Sequence, residues 1–439
     1  MKIRISHISN TYNNGSLMMA INTIEYIYQN VNETNEVIFF TDALGENNLQ
    51  RIKNSVSCSK IFGIPQNTIP LNSFKKKIKQ NISIYLIIKL FYKPVRLIKN
   101  VLELLLCYFT INNKLKKENC EVLIVLGGDD FSPYYGYFQL FKSLFEIKLY
   151  SKKIPIVLLG QTIGPFGTVL RRIVKWCLQD CYISIREESN FNYVKDKINL
   201  NQVTLSGDLA FLNLPFQNKL GKKDFLLTQY QLTENEYISL VPSGLMQAYT
   251  KNEKKYIENY VNVINFLTEY QETKNYKIIL LAHVLLNDEI DDKMIIQKIY
   301  SSLGEKIQKK VVLVLEPLLP YELRILLGNG LFTITGRMHS AISTFQKGKP
   351  AICLSYSIKY SGVIGKELNM QDLIIECSGA KYWDNNYVSR KIADLVQDLL
   401  KSYESIRSLI AMNIPNLQSK IKNEINDLCS FLLKIQQKG

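Results

Sequence analysis

Short runs rich in β-branched and aliphatic residues recur along most of the 439-residue chain, and between them lie longer stretches with helical periodicity. That alternation belongs to α/β proteins built on parallel sheets, because parallel strands need helical crossovers to join them. The runs predict strands near 2–8, 36–41, 122–126, 155–160, 182–186 and 202–206, then near 237–242, 276–282, 310–315, 331–335 and 350–355. At this length one hydrophobic core stops growing, so two domains are expected. Between Leu209 and Glu236 the pattern weakens into a polar stretch with Pro215 and Gly221. This predicts the linker, with one domain over 1–215 and another over 216–380. Beyond Trp383 only helical periodicity remains, over 384–404 and 414–437, with a break predicted at Asn413-Ile414-Pro415.

The 46% hydrophobic and 21% charged content excludes a disordered or fibrous chain. Met1 to Ile8 reads as a strand, and no apolar run with a small-residue cleavage site follows it, so a cytoplasmic location is expected. Eight cysteines are scattered without the close pairing of zinc sites or a disulfide framework, and no metal is expected; Cys177 and Cys181, four apart on a predicted helix, read as packing residues.

A formal charge of +15 points to anionic partners. Much of it is concentrated in a basic helical insertion at about 72–118, from Lys75, Lys76 and Lys77 to Lys114, Lys116 and Lys117. Its aliphatic runs are interrupted by Lys89, Lys93, Pro94, Arg96 and Lys99, too often for a membrane-spanning helix. Two readings fit: a helix in the headgroup plane of an anionic membrane, peripheral to its inner face, or a buried hairpin with a solvated basic face. The stacking motifs of nucleic-acid binders are missing from it, so no nucleic-acid partner is expected.

Four segments place polar or glycine residues directly after an apolar strand, where open parallel sheets bind ligands. In VLIVLGGDD, Gly127 and Gly128 allow close backbone approach, and Asp129 or Asp130 can accept a proton or hold hydroxyls; the same residues also suit a plain capped turn. In PIVLLGQTIGPFG, the loop with Gln161 and Gly164 can cradle an anion on its amides, or owe its glycines to conformation alone. It matches neither a P-loop nor a dinucleotide fingerprint. Arg186 in CYISIREES offers a planar cationic fork for a carboxylate or phosphate, or an ion pair with a neighbouring acid.

LFTITGRMHS is the most informative segment: Arg337 and His339, one of only three histidines, enter a helix whose free amides already favour anions. An imidazole that titrates near neutrality, beside a guanidinium that holds negative charge, suits acid catalysis on an anionic substrate. Lesser candidates are His283 at another strand end, His7 with the Asn14-Gly15-Ser16 loop, and Ser355, Tyr356 and Lys359 after a later strand.

Taken in order, GQTIGPFG, ISIREES, SGDLAF at 206–211 and TGRMHSAIS leading to KPAICLSYSIK resemble the polysaccharide pyruvyl transferase family, over most of the chain from the first βα loop to Lys366. The resemblance implies two facing Rossmann-like domains of the GT-B kind, followed here by C-terminal helices. It also implies phosphoenolpyruvate as donor substrate with no further cofactor, and a saccharide acceptor in surface-polysaccharide synthesis. By it, Arg337 and His339 fall on the family's Arg-x-His motif and Arg186 on its strand-end arginine. The expected chemistry has His339 protonating the donor methylene while Asp129 or Asp130 deprotonates a sugar hydroxyl. A lipid-linked acceptor would account for a basic membrane-facing insertion. Where many relatives read Asn-x-Gly-Asp, this chain reads Asn13-Asn14-Gly15-Ser16, and Ala282 replaces a frequent proline before His283. Two other readings stand beside this one: a nucleotide-sugar glycosyltransferase on the same architecture, separated by the leaving group it releases, and a non-catalytic saccharide or membrane-surface binder, which Ser16 keeps open.

Overall fold

A computed structural model describes residues 1–31, 36–64, 119–133, 136–286 and 290–437. The basic insertion expected at about 72–118 lies outside the described residues.

Seven parallel strands form the first sheet: β1 (Lys2–Ser6), β2 (Ile38–Thr41), β3 (Ile61–Gly63), β4 (Val122–Leu126), β5 (Ile156–Gln161), β6 (Tyr182–Ile185) and β7 (Val203–Leu205), in spatial order 3-2-1-4-5-6-7. A second parallel sheet holds β8 (Tyr237–Val241), β9 (Lys277–Leu281), β10 (Val311–Val314), β11 (Thr333–Thr335), β12 (Ala351–Ser355) and β13 (Ile374–Glu376), in order 10-9-8-11-12-13. Both sheets therefore carry the same doubly wound order, reversing direction between β1 and β4 in one and between β8 and β11 in the other. Crevices at such reversals are where these folds bind ligands. Ile3 lies opposite both Phe39 and Val122, and Ser239 opposite both Ile279 and Thr333, so β1 and β8 are central strands.

The helices are α1 (Asn14–Val31), α2 (Gly45–Lys53), α3 (Tyr137–Ser151), α4 (Thr168–Leu178), α5 (Glu188–Tyr193), α6 (Lys222–Gln229), α7 (Glu253–Glu269), α8 (Asp292–Ser301), α9 (Glu305–Gln308), α10 (Pro320–Asn329), α11 (Met338–Gln346), α12 (Ala380–Asp384), α13 (Tyr387–Lys401) and α14 (Tyr403–Gln436). They cover both faces of each sheet, which is why the strands read as unbroken apolar runs. On β4, Val122, Ile124 and Leu126 enter one core while Leu123 and Val125 enter the core under α3 and α4. The first of these cores continues into the second domain through α1, residues 209–214 and α11.

Two expectations are corrected. The stretch from Leu209 to Leu212 is core, not linker: Leu209, Ala210, Phe211 and Leu212 are almost completely buried. The carbonyls of Ala210 and Leu212 accept hydrogen bonds from the buried Arg324 of α10 at 2.5 and 2.7 Å, which satisfies backbone groups that an apolar contact would strand. The helix break expected at Pro415 is also absent, and α14 runs through it after a break at Ser402. Burial of Ile410, Ile414, Leu417 and Ile421 on both sides of the proline outweighs its one missing donor. Along this helix Asn413 donates to Leu368 O in the second domain and Gln418 to Phe211 O in the first, so α14 bridges the two. No helix among the described residues is long and apolar enough to cross a membrane. The seven described cysteines are buried.

Candidate functional site

The C-terminal strand ends of the two sheets face a common cavity of about 410 Å³. His7, Ser16, Gly127, Gly128, Asp129, Asp130 and Arg186 line it from the first domain, and His283, Gly336, Arg337, His339, Tyr356 and Lys359 from the second. All three histidines of the chain are here. The residues meet because in a parallel sheet every strand delivers its next loop to the same edge.

Three ion pairs form the frame, and Arg186–Asp208 is the fully buried one. Arg186 donates from Nη1 to Asp208 Oδ2 at 3.0 Å and from Nε to Thr162 Oγ1 at 3.0 Å. Burial opposes its charge, but Asp208, Asp129 and Glu187 reverse that and raise its pKa. Arg337 grips Asp292 Oδ1 through Nε and Nη2 at 3.1 and 2.5 Å, and Nη2 also reaches Ile290 O at 2.8 Å. Lys359 stands 3.4 Å from Asp129 Oδ2 and donates to the Tyr356 hydroxyl at 2.7 Å. Among the described residues, Nη2 of Arg186 and Nη1 of Arg337 meet no acceptor, so each pinned guanidinium retains an edge for a ligand. The N-termini of α1 and α11, entering from opposite domains, add amide dipoles of the same sign.

His339 lies between the domains. Its Nε2 is 3.5 Å from Asp208 Oδ2, a charge contact without hydrogen-bond alignment, and its ring packs against Gly15 at the start of α1. Burial would raise the Asp208 carboxyl, yet His339, Arg186 and the Ala210 N–H hold it well below the usual carboxylate range. His283 is buried with Nε2 unpartnered. Burial, with the charges of His339 and Arg337, pushes its pKa well down, so it is a neutral imidazole. Its carbonyl accepts from Asn14 Nδ2 at 2.9 Å, and an antiparallel bridge joins Asn13 to Val284, so the first loop is fastened across the domain boundary.

Four expected substrate contacts stand elsewhere. Gln161 is fully buried and donates to Val125 O at 3.0 Å, tying β5 to β4. Gly164, at φ +89°, packs against Tyr193, and the glycine loop that holds it turns away from the cavity toward α5. Ser355 donates to Ser357 O at 3.0 Å, closing its own turn. Gly15 serves the site by giving His339 room, since a β-carbon there would strike the ring. Asp129 is paired with Lys359; burial alone would raise its pKa, but Lys359 and Arg186 lower it.

Asp208 and Asp292 were not foreseen. Asp292 takes the N–H groups of Gly244, His283 and Val284 at 2.7 to 3.0 Å besides Arg337, and so sets two loops at once. Their signals were weak: Asp208 sits in SGDLAF and Asp292 in an acidic run after the His283 strand, but nothing local tells a site carboxylate from a cap.

A model of the polysaccharide pyruvyl transferase family matches residues 15–358, most of the chain and all of the cavity except His7, Asn13, Lys359 and Tyr360. The chain belongs to the polysaccharide pyruvyl transferase family. Among curated proteins it is 25% identical over 306 residues to the amylovoran biosynthesis protein AmsJ of Erwinia amylovora, covering 67% of this chain and 69% of that one. Among solved structures it is similar to the UDP-GlcNAc 2-epimerase of Neisseria meningitidis, with a TM-score of 0.58, 12% identity and coverage of 99% and 100%. MnaA of S. aureus, solved with UDP, gives 0.58, 11% identity and coverage of 99% and 96%. At such identities the likeness shows the shared GT-B-like, two-domain α/β fold alone. Family membership favours a pyruvyl transferase of exopolysaccharide biosynthesis over the nucleotide-sugar reading.

Proposed function

We propose that this pyruvyl transferase takes its pyruvyl group from phosphoenolpyruvate and sets it on two hydroxyls of a saccharide as a ketal. The observation that carries the reading is the meeting of Arg186, Arg337 and His339, from both domains, in one cavity. Phosphoenolpyruvate bears a phosphate and a carboxylate on a three-carbon enol and needs two cationic subsites, and the open edges of the two guanidiniums suit them. His339, beside Asp208, protonates the methylene carbon, C2 becomes electrophilic, and a sugar hydroxyl adds. A second hydroxyl closes the ketal as inorganic phosphate departs. Arg337 and Arg186 neutralise the leaving phosphate and the carboxylate without rearranging, because Asp292 and Asp208 already hold them. The acceptor is carried on a lipid at the inner membrane face, a placement that rests on the basic composition of residues 72–118.

Incubation with phosphoenolpyruvate and a panel of aryl and lipid-linked glycosides tests the reading. Phosphate release together with a carboxyethylidene mass gain on the sugar is expected; release of a nucleoside diphosphate from a nucleotide sugar instead would overturn it. For the lipid-linked acceptor the test is co-sedimentation of the full chain with vesicles, and binding indifferent to anionic lipid removes that part.

A further inference from the structure

Ketal formation requires proton acceptance as well as donation. The two hydroxyls lose two protons, of which one ends on the former methylene carbon and one leaves with phosphate. A base distinct from the acid at His339 would let the hydroxyl lose its proton while the methylene carbon gains one.

Most of its groups are committed. Asp129 is paired with Lys359, Asp208 with Arg186, and Asp292 with Arg337. His283 is buried beside Arg337, and burial above all disfavours its protonated form. What remains is His7, after β1, and Asp130, after the adjacent strand β4, at the reversal of the first sheet. Asp129 and Asp130 diverge, one to Lys359 and the other to His7. His7 Nδ1 lies 3.0 Å from Asp130 Oδ2, which leaves Nε2 as the second nitrogen of a ring that lines the cavity with 27% of its side chain open. The ring stacks on Phe131 at 6.2 Å. Its backbone is held at φ +71°, a left-handed conformation that non-glycine residues rarely adopt, and Asp42 fixes it by accepting from the N–H groups of His7 and Ile8 at 3.0 Å each. Arg186 follows β6, three strand positions and roughly 14 Å along the sheet from β1. The donor clamps and the His7 pair thus enter the cavity from separate places.

We propose that His7, oriented by Asp130, takes the proton from the attacking saccharide hydroxyl. This rests on the pyruvyl-transfer reading above. A carboxylate on Nδ1 fixes the tautomer that leaves Nε2 unprotonated and stabilises the imidazolium formed on proton transfer. The charged groups facing His7 are Asp130, Asp42 and Glu146, and together they lift its pKa above the usual histidine value although burial pulls the other way. The base form is then lost at higher pH than for an ordinary histidine.

The test uses the full chain with phosphoenolpyruvate and an aryl glycoside that the wild type pyruvylates. His7→Gly keeps the left-handed backbone without strain, so the fold persists while the base is removed. Turnover is expected to fall 10²- to 10³-fold, with thermal stabilisation by phosphoenolpyruvate retained and activity partly restored, saturably, by added imidazole. In Asp130→Asn the acid limb of the kcat/KM profile should move to lower pH, because the group that raises His7 is gone. Turnover of His7→Gly within threefold of wild type, no imidazole rescue, or an unmoved acid limb overturns the assignment. A wild type that neither responds to phosphoenolpyruvate nor releases phosphate overturns the underlying reading, and the base with it.

Discussion

Gly15→Ala isolates the position of one imidazole. Gly15 is the second residue of α1, has ordinary helical backbone, and touches the His339 ring with nothing between them. A methyl placed there falls on Nδ1, 2.7 Å from Cγ and 3.0 Å from Cε1, whereas ordinary contact begins at 3.4 Å. The ring must therefore retreat by at least about 0.7 Å, since the helix that carries the methyl is buried on nearly every face. A displacement near 1 Å in a catalytic group costs about 100-fold in rate, so turnover should fall roughly 10- to 100-fold. Stability should fall by no more than about 2 kcal/mol: alanine in a helix gains about 1 kcal/mol over glycine, against roughly 1–3 kcal/mol for overpacking. Phosphate release read beside a thermal melt separates the two, and Gly304→Ala, which meets nothing within 4 Å, is the control. A folded Gly15→Ala protein with more than a third of wild-type turnover would refute the placement of His339 as the acid.

Asp208→Asn leaves the buried Arg186 without its countercharge and should cost about 3–5 kcal/mol, seen in denaturant melts. The Asp208 carboxyl is depressed in the folded state, so its contribution is present above the unfolded value near 4 and is lost as pH falls toward the folded one; the Asn variant should show a flatter loss of stability below about pH 4. Lys359→Met strands Asp129, whose carboxyl should then rise, adding a protonation to the acid side of the rate profile; an unchanged profile would show that the pair is idle. Gly362→Ala drives a methyl into the Glu187 carboxylate, with Cδ at 2.7 Å, and should cost about 1–3 kcal/mol across the domain boundary, recovered in part by Glu187→Ser in the same chain.

Much of the fold was legible because its signals are local. Eleven runs of β-branched residues became strands, whereas the short edge strands Ile61–Gly63 and Ile374–Glu376 escaped notice, the first ending in a glycine and the second in a glutamate. The polar look of Leu209–Glu236 misled, because burial of Leu209 to Leu212 is secured by Arg324 from 112 and 114 positions away, which no window contains. At the cavity, residues marked by chemical type at a strand end came together, among them Arg186, Arg337, His339 and His283. Residues chosen for the loop they sat in, Gln161 and Gly164, did not, because a glycine loop after a strand equally serves a turn.

The sequence by itself determined that two parallel sheets would form and that their cations and imidazoles would emerge at the strand ends, because a parallel sheet sends every following loop to one edge. Only the tertiary structure decided which carboxylate answers which cation. Arg186 meets Asp208 across 22 positions, Arg337 meets Asp292 across 45, and Lys359 meets Asp129 across 230. Pairing depends on distances of about 3 Å, set by strand order and the seating of one domain on the other, and neither quantity is written in any local run of residues.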